Sequence, residues 1–180
     1  MPRFACLLGL ILGCAADRSA ILAPGKPTLT LTAADTMASG AIAEAEARGF
    51  NDIAVFVLDA NGRTIVSKTM PGCPNLPHEL AHAKAMACIS THASSRALKE
   101  KYLPDRLYQL TAMTVVGTDA RMPLAAVPGG VLCRDEAGTV VGAVGVSGAS
   151  ADEDEHCALA AAQAVGLATE PTASALAPSE

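Results

Sequence analysis

The stretch from Ile53 to Thr69, IAVFVLDANGRTIVSKT, sets two β-prone runs on either side of Asn61-Gly62. An Asn-Gly pair accepts the positive φ of a tight hairpin turn, so the runs are expected to pair as antiparallel strands. A second unit of the same kind follows: Val131 to Arg134, the turn Asp135-Glu136-Ala137-Gly138, then Thr139 to Val146. Two hairpins commit the chain to an antiparallel sheet, and the remaining elements must pack on it.

Those elements read as helices. Thr32 is expected to cap a first helix with Asp35 in its first turn, running through Met37, Ile42, Ala43 and Ala47 to stop at Gly49. Pro77 suits the first turn of an Ala-rich helix to about His92, followed by a broken helical stretch ending at Tyr102 before Pro104. Asp105 to Val127 has no clear period and is left unassigned. Ser150 opens a last helix with acids from Asp152 to Glu155 in its first turns. The order helix, hairpin, helix, hairpin, helix is that of an α+β layered domain. With 51% hydrophobic residues but only 3% aromatics and no Trp, its core must be built from small aliphatic side chains. A net charge of -5 without a basic cluster speaks against a nucleic-acid partner or an anionic membrane surface.

The ends read differently. Residues 1–16 resemble an export signal: a basic start at Arg3, an apolar run from Phe4 to Leu12, and small residues around Gly13-Cys14-Ala15-Ala16. The expected location is secreted or periplasmic, with lipid anchoring through Cys14 as the variant that Ile11-Leu12-Gly13-Cys14 suggests. Residues 17–27 form a linker, 28–167 the domain, and 168–180, rich in Ala, Pro, Ser and Thr, a disordered tail. Cys73, Cys88, Cys133 and Cys157 contain no C-x-x-C pair. Two disulfides are admissible in an oxidising compartment, while Cys88 and Cys157 also suit the role of small buried apolar residues.

His78-Glu79-Leu80-Ala81-His82 spells H-E-x-x-H, the signature of zinc hydrolases. On a helix the two imidazoles lie about 6 Å apart along the axis on one face, so one metal can take both. A catalytic zinc needs a third protein ligand. The helix break of the longer signature is replaced by Ala85, and the third histidine by Cys88. On an unbroken helix Cys88 lies roughly 9 Å further along and round the cylinder, out of reach. Glu100, flanked by Lys99 and Lys101, reads as a solvated turn. Glu79 is explained by the helix dipole alone. Zinc-dependent hydrolysis is therefore the weaker reading. The same helical wheel puts His78, His82, Ala85, Ile89 and His92 on one stripe with Met86 beside it, and Leu80, Ala83 and Ala87 on the opposite, core-facing stripe. Imidazoles next to a thioether suit a heme edge or a subunit interface, and exposed histidines without a role are the plain alternative.

The motifs together resemble the GlcG/HbpS family (DUF336), which includes the C-terminal domain of PduO-type corrinoid adenosyltransferases. The resemblance is carried by Ala54-Val55-Phe56-Val57-Leu58-Asp59-Ala60-Asn61-Gly62, by Met70-Pro71-Gly72, and by Ala81-His82-Ala83-Lys84-Ala85. It continues through Gly129-Gly130, Gly138 and Gly142-Ala143-Val144-Gly145-Val146-Ser147-Gly148, with Asp154 at an acidic position of the last helix. It covers roughly Leu29 to Leu167, and departs where Val131-Leu132-Cys133 replaces the Pro-Ile common in the family. The resemblance implies a profilin-like domain, homo-oligomers, and a heme or related tetrapyrrole ligand, with heme degradation or heme and redox sensing beside a membrane sensor partner as the associated roles. His78 and His82 are the expected iron ligands, with Met86 beside them. Gly145, Ser147 and Gly148 lead into a helix N-terminus that can receive a heme propionate or, without heme, a small carboxylate.

Overall fold

The computed structural model describes Ile21 and residues 28–176. The export signal, the linker apart from Ile21, and residues 177–180 lie outside them. Five strands form one antiparallel sheet: β1 (Ala54–Asp59), β2 (Thr64–Thr69), β3 (Gly130–Arg134), β4 (Val140–Ser147) and β5 (Ala168–Glu170), in the order β2-β1-β4-β3-β5. Within residues 28–176 five helices accompany it: α1 (Leu31–Arg48), α2 (Asn75–Thr91), α3 (Ser95–Tyr102), α4 (Leu107–Asp119) and α5 (Ala151–Gln163). The α+β layered fold expected from the hairpins is what forms.

Alternation along β1 explains the layers. Val55 and Val57 point into a cluster with Met37, Ala38 and Ala41 of α1 and Ala158 and Leu159 of α5. Ala54, Phe56 and Leu58 point to the other face, against Ala81, Ala85 and Met86 of α2. The same alternation divides β3, with Val131 and Cys133 on the first side and Leu132 on the second. Most facing helix residues are Ala, so the helices approach the sheet closely and the core needs few aromatics. Among the described residues no helix is long and apolar enough to cross a membrane.

Local details correct several expectations. The cap of α1 is Thr30, whose hydroxyl accepts from the Ala33 N–H at 3.2 Å, and not Thr32. In the first hairpin only Gly62 takes a positive φ, 79°, while Asn61 does not. Gly62 N–H bonds Asp59 O, and the strand register slips between Val57 and Leu58. The extra turn residue is taken up by this bulge rather than by a two-residue turn. Ala168–Glu170, read from composition as part of the disordered tail, pairs with β3 as an edge strand. Cys73, Cys88, Cys133 and Cys157 are all free thiols.

Candidate functional site

The two histidines of α2 stand over the ring of Phe56. The first turn of α2 carries His78 and the next carries His82; both are half-buried. Their ring centroids lie 4.9 Å and 5.2 Å from that of Phe56, on the β1 face turned toward α2. Thr69, the last residue of β2, places its Oγ1 2.8 Å from His78 Nδ1. His82 makes no hydrogen bond among the described residues and keeps both ring nitrogens unengaged. Burial pulls its pKa below the ordinary histidine value, with His78 adding to the shift and Glu79 opposing it. The shift favours the neutral imidazole, the form that ligates a metal. Two nitrogen donors one helical turn apart, backed by an aromatic ring and close to the sheet edge, form the best candidate ligand face of the molecule.

The other expected site residues are engaged within the protein. Met86 is 8% exposed and packs with Leu58, Ile89 and Leu132, its sulfur against the Gly62 turn. Its thioether fills core. His92 takes a left-handed conformation, φ 53°, as the C-cap of α2, outside the stripe assigned to it. The expected core stripe is only part of the buried face: Ala83 and Ala87 are buried, but burial extends well beyond them. Ala81, Ala85 and Cys88 are fully buried, while Leu80 is only half-buried. The reason lies in the partner strand: a glycine at 145 opens a channel in β4 that accepts the helix backbone along Ala81 and Ala85.

The segment Gly145-Ser147-Gly148 is likewise occupied by the protein itself. A Cβ on Gly145 would stand 2.0 Å from Ala81 O, and one on Gly148 2.3 Å from Asp52 O. These glycines permit close packing rather than close approach of a ligand. Ser147 Oγ accepts from Lys84 Nζ at 3.3 Å. The N-terminus of α5 is closed by a capping box of Ser150 and Glu153, and Asp154 takes the Ala149 N–H at 3.0 Å. At the anion site expected there, for a propionate or a small carboxylate, the N–H groups of Ala149, Ser150 and Glu153 are already taken by side chains of the same segment.

Lys84 and Asp154, known from the sequence only as parts of a pattern, form a buried ion pair. The ammonium of Lys84, 1% exposed as a residue, reaches Asp154 Oδ2 at 2.7 Å and Val146 O at 2.9 Å. With Ser147 Oγ this satisfies all three of its donors. Desolvation pulls Lys84 below the usual lysine range and pushes Asp154 above the usual carboxylate range, and each one's charge opposes the other's shift. The pair clamps α2 and α5 to the end of β4. A second clamp, Arg96 to fully buried Glu155 at 2.9 Å and to Asp152, ties α3 to α5.

For zinc the donor set fails. Among the described residues no three His, Cys, Asp or Glu side chains are grouped to hold a metal ion. Cys88 faces the core, where burial raises its thiol far above neutrality, and Cys133 and Cys157 are pushed up to about 12. Cys73, packed beside Phe56, is also raised by burial, so among the described residues no thiol is predisposed to complete the pair as a thiolate.

The fold is that of an α+β layered domain, an antiparallel sheet with helices packed on it. A family model described as "Haem degrading protein HbpS-like" matches residues 29–163, and the chain belongs to that HbpS-like family. The crystal structure of HbpS is 33% identical, with TM-score 0.64, covering 77% of this chain and 91% of that one. A double mutant of HbpS from Streptomyces reticuli is 32% identical, with TM-score 0.65, covering 77% and 88%. The heme complex of PduOC shares the fold at 23% identity and TM-score 0.69, covering 79% and 99%. Among curated proteins there is no match.

Proposed function

We propose that this protein binds heme on the face formed by α2 and the end of β1, with His78 and His82 as the iron-ligand candidates. The observation that carries the reading is the imidazole pair over Phe56, one member with no side-chain hydrogen-bond partner among the described residues and the other with Nε2 left open by the Thr69 contact at Nδ1. The family description and the heme complex of a fold neighbour support it. These donors fit a heme iron, which supplies ligand-binding and redox chemistry when bound. With three Phe and two Tyr in the whole chain, the porphyrin must rest largely on aliphatic surface. Titrating the purified protein with hemin is expected to give a Soret shift that the His78→Ala/His82→Ala double variant loses. An unchanged shift in that variant removes the ligand assignment, and a Soret band that decays under reductant extends binding to degradation.

Secretion, with Cys14 as the lipid-anchored variant, belongs to the same reading, as does service beside a membrane sensor; the export-like pattern of residues 1–16 supports the first. Assembly into homo-oligomers is supported by α4. Of its thirteen residues only Gly117 is buried, while Leu107, Tyr108, Val115 and Val116 are 56–71% exposed. Beside it an apolar cavity of about 360 Å3 is lined by Met113, Val116, Met122 and Leu124. Apolar surface gathered on one helix is the mark of an interface. Light scattering is expected to show an oligomer that the Val115→Asp/Val116→Asp variant reduces to a monomer with the fold retained. A monomeric wild type at tens of micromolar overturns self-association through this face.

A further inference from the structure

The two histidines are not equivalent, and the difference lies in what holds them. The ring of His78 is fixed at two points. Its centroid sits 4.9 Å from Phe56 at an interplanar angle of 73°, and its Nδ1 lies 2.8 Å from Thr69 Oγ1. Thr69 in turn has its backbone set by the ladder, opposite Ala54 at the end of β2. The hydroxyl therefore comes from a different element than the histidine, and the contact spans the gap between the edge strand and the first turn of α2. His82, one turn on, has the Phe56 ring contact at 5.2 Å and no such hydroxyl.

We infer that Thr69 is a positioning residue, which receives the Nδ1 proton of His78 and so leaves the Nε2 lone pair as the atom offered to an iron. A neutral imidazole has one N–H donor and one acceptor nitrogen, so engaging Nδ1 as donor makes Nε2 the acceptor. Metal-bound histidines use this arrangement, the nitrogen away from the metal donating to a protein oxygen that fixes tautomer and ring orientation. A threonine hydroxyl is able to accept that proton and to turn its own hydrogen elsewhere. Valine at the same place has the same shape and cannot. The identity of the ligand rests on the heme reading above; the tautomer does not.

Two measurements on the full-length protein separate these. Nitrogen-15 NMR of the imidazoles without hemin is expected to show the Nδ1–H tautomer of His78 enriched in the wild type and in Thr69→Ser, and lost in Thr69→Val. Hemin titration of the same proteins is expected to show binding weakened about tenfold or more in Thr69→Val, the range found when such supporting partners are removed, and restored in Thr69→Ser. Thermal melts should coincide for all three, since Thr69 is at the sheet edge. An unchanged tautomer in Thr69→Val overturns the positioning role, as does a changed tautomer with unchanged hemin affinity. A wild type that shows no Soret shift sinks the heme reading and the ligand role of His78 with it, while the NMR result still decides whether Thr69 sets the tautomer.

Discussion

Lys84→Met is expected to cost about 3–5 kcal/mol of folding stability, the range for leaving one buried partner of an ion pair without the other. For a domain of this size that is a fall in Tm of roughly 6–20 °C. The expectation follows from burial. Both side chains are 2% exposed, so the Asp154 carboxylate left behind cannot find water. Its Oδ1 would still hold the Ala149 N–H, but Oδ2 would lose the Lys84 donor. Asp154→Leu is expected to cost a similar amount, by stranding the ammonium. The informative variant is the double one. Lys84→Met/Asp154→Leu removes both charges and should recover most of the loss, since a buried pair replaced by apolar residues is often neutral. Recovery will be incomplete, because Val146 O and Ser147 Oγ lose their donor and the Ala149 N–H its acceptor. Urea melts of the four proteins give the coupling energy directly. Single variants that each lose less than about 1 kcal/mol would show that the pair does not clamp the helices.

That clamp also shows what the sequence could and could not reveal. The hairpins were legible because Gly62 and Gly138 sit between β-prone runs, and local chemistry decides such turns. The last helix was legible from Ser150 and the acids after it, and the capping box confirms the signal. Helix α4 was not, for a physical reason: a helix that buries only Gly117 shows no apolar period against its own domain. Strand β5 escaped because an edge strand of three residues needs backbone pairing rather than hydrophobic side chains. Its Glu170 is fastened from outside the strand by the Ser94 N–H at 3.1 Å.

The site was half legible. His78 and His82 could be paired by spacing alone, and the structure keeps them together over one ring. Which side of α2 meets the sheet could not be read from the helix, because the answer is written in β4. Small residues line both sides of α2, so hydrophobicity along the helix does not choose between them, and Gly145 does. Met86 shows the same limit. One residue round the wheel from Ala85, it is core, since the Gly62 turn folds over its sulfur. Phe56 and Thr69, which complete the site, lie on strands and reach the histidines only through sheet register and helix placement. Strand alternation put Phe56 on the same face as Ala54; nothing local marked Thr69.

Gly145→Ala is expected to be the most damaging small substitution in the chain, with a loss above about 3 kcal/mol, at the upper end of overpacking costs. The added Cβ would lie 2.0 Å from Ala81 O, 2.7 Å from Ala85 N and 2.9 Å from Ala85 Cβ. All three belong to the backbone or first side-chain atom of α2, so no rotamer change relieves the clash, and the helix must lift from the sheet. Gly138→Ala is the control. Its Cβ meets nothing within 4 Å, and the cost there is only that of a positive φ of 80°, about 1–2 kcal/mol. Urea melts should therefore rank Gly145→Ala well below Gly138→Ala, and equal losses would mean that α2 has slack against β4. The lift has a second consequence, because α2 carries both imidazoles while Phe56 and Thr69 stay with the sheet. A variant that remains folded should lose hemin affinity beyond what its stability loss accounts for, as the Thr69–His78 hydrogen bond at 2.8 Å tolerates little displacement. Gly138→Ala, in the β3–β4 turn where the added Cβ meets nothing within 4 Å, should bind hemin as the wild type does.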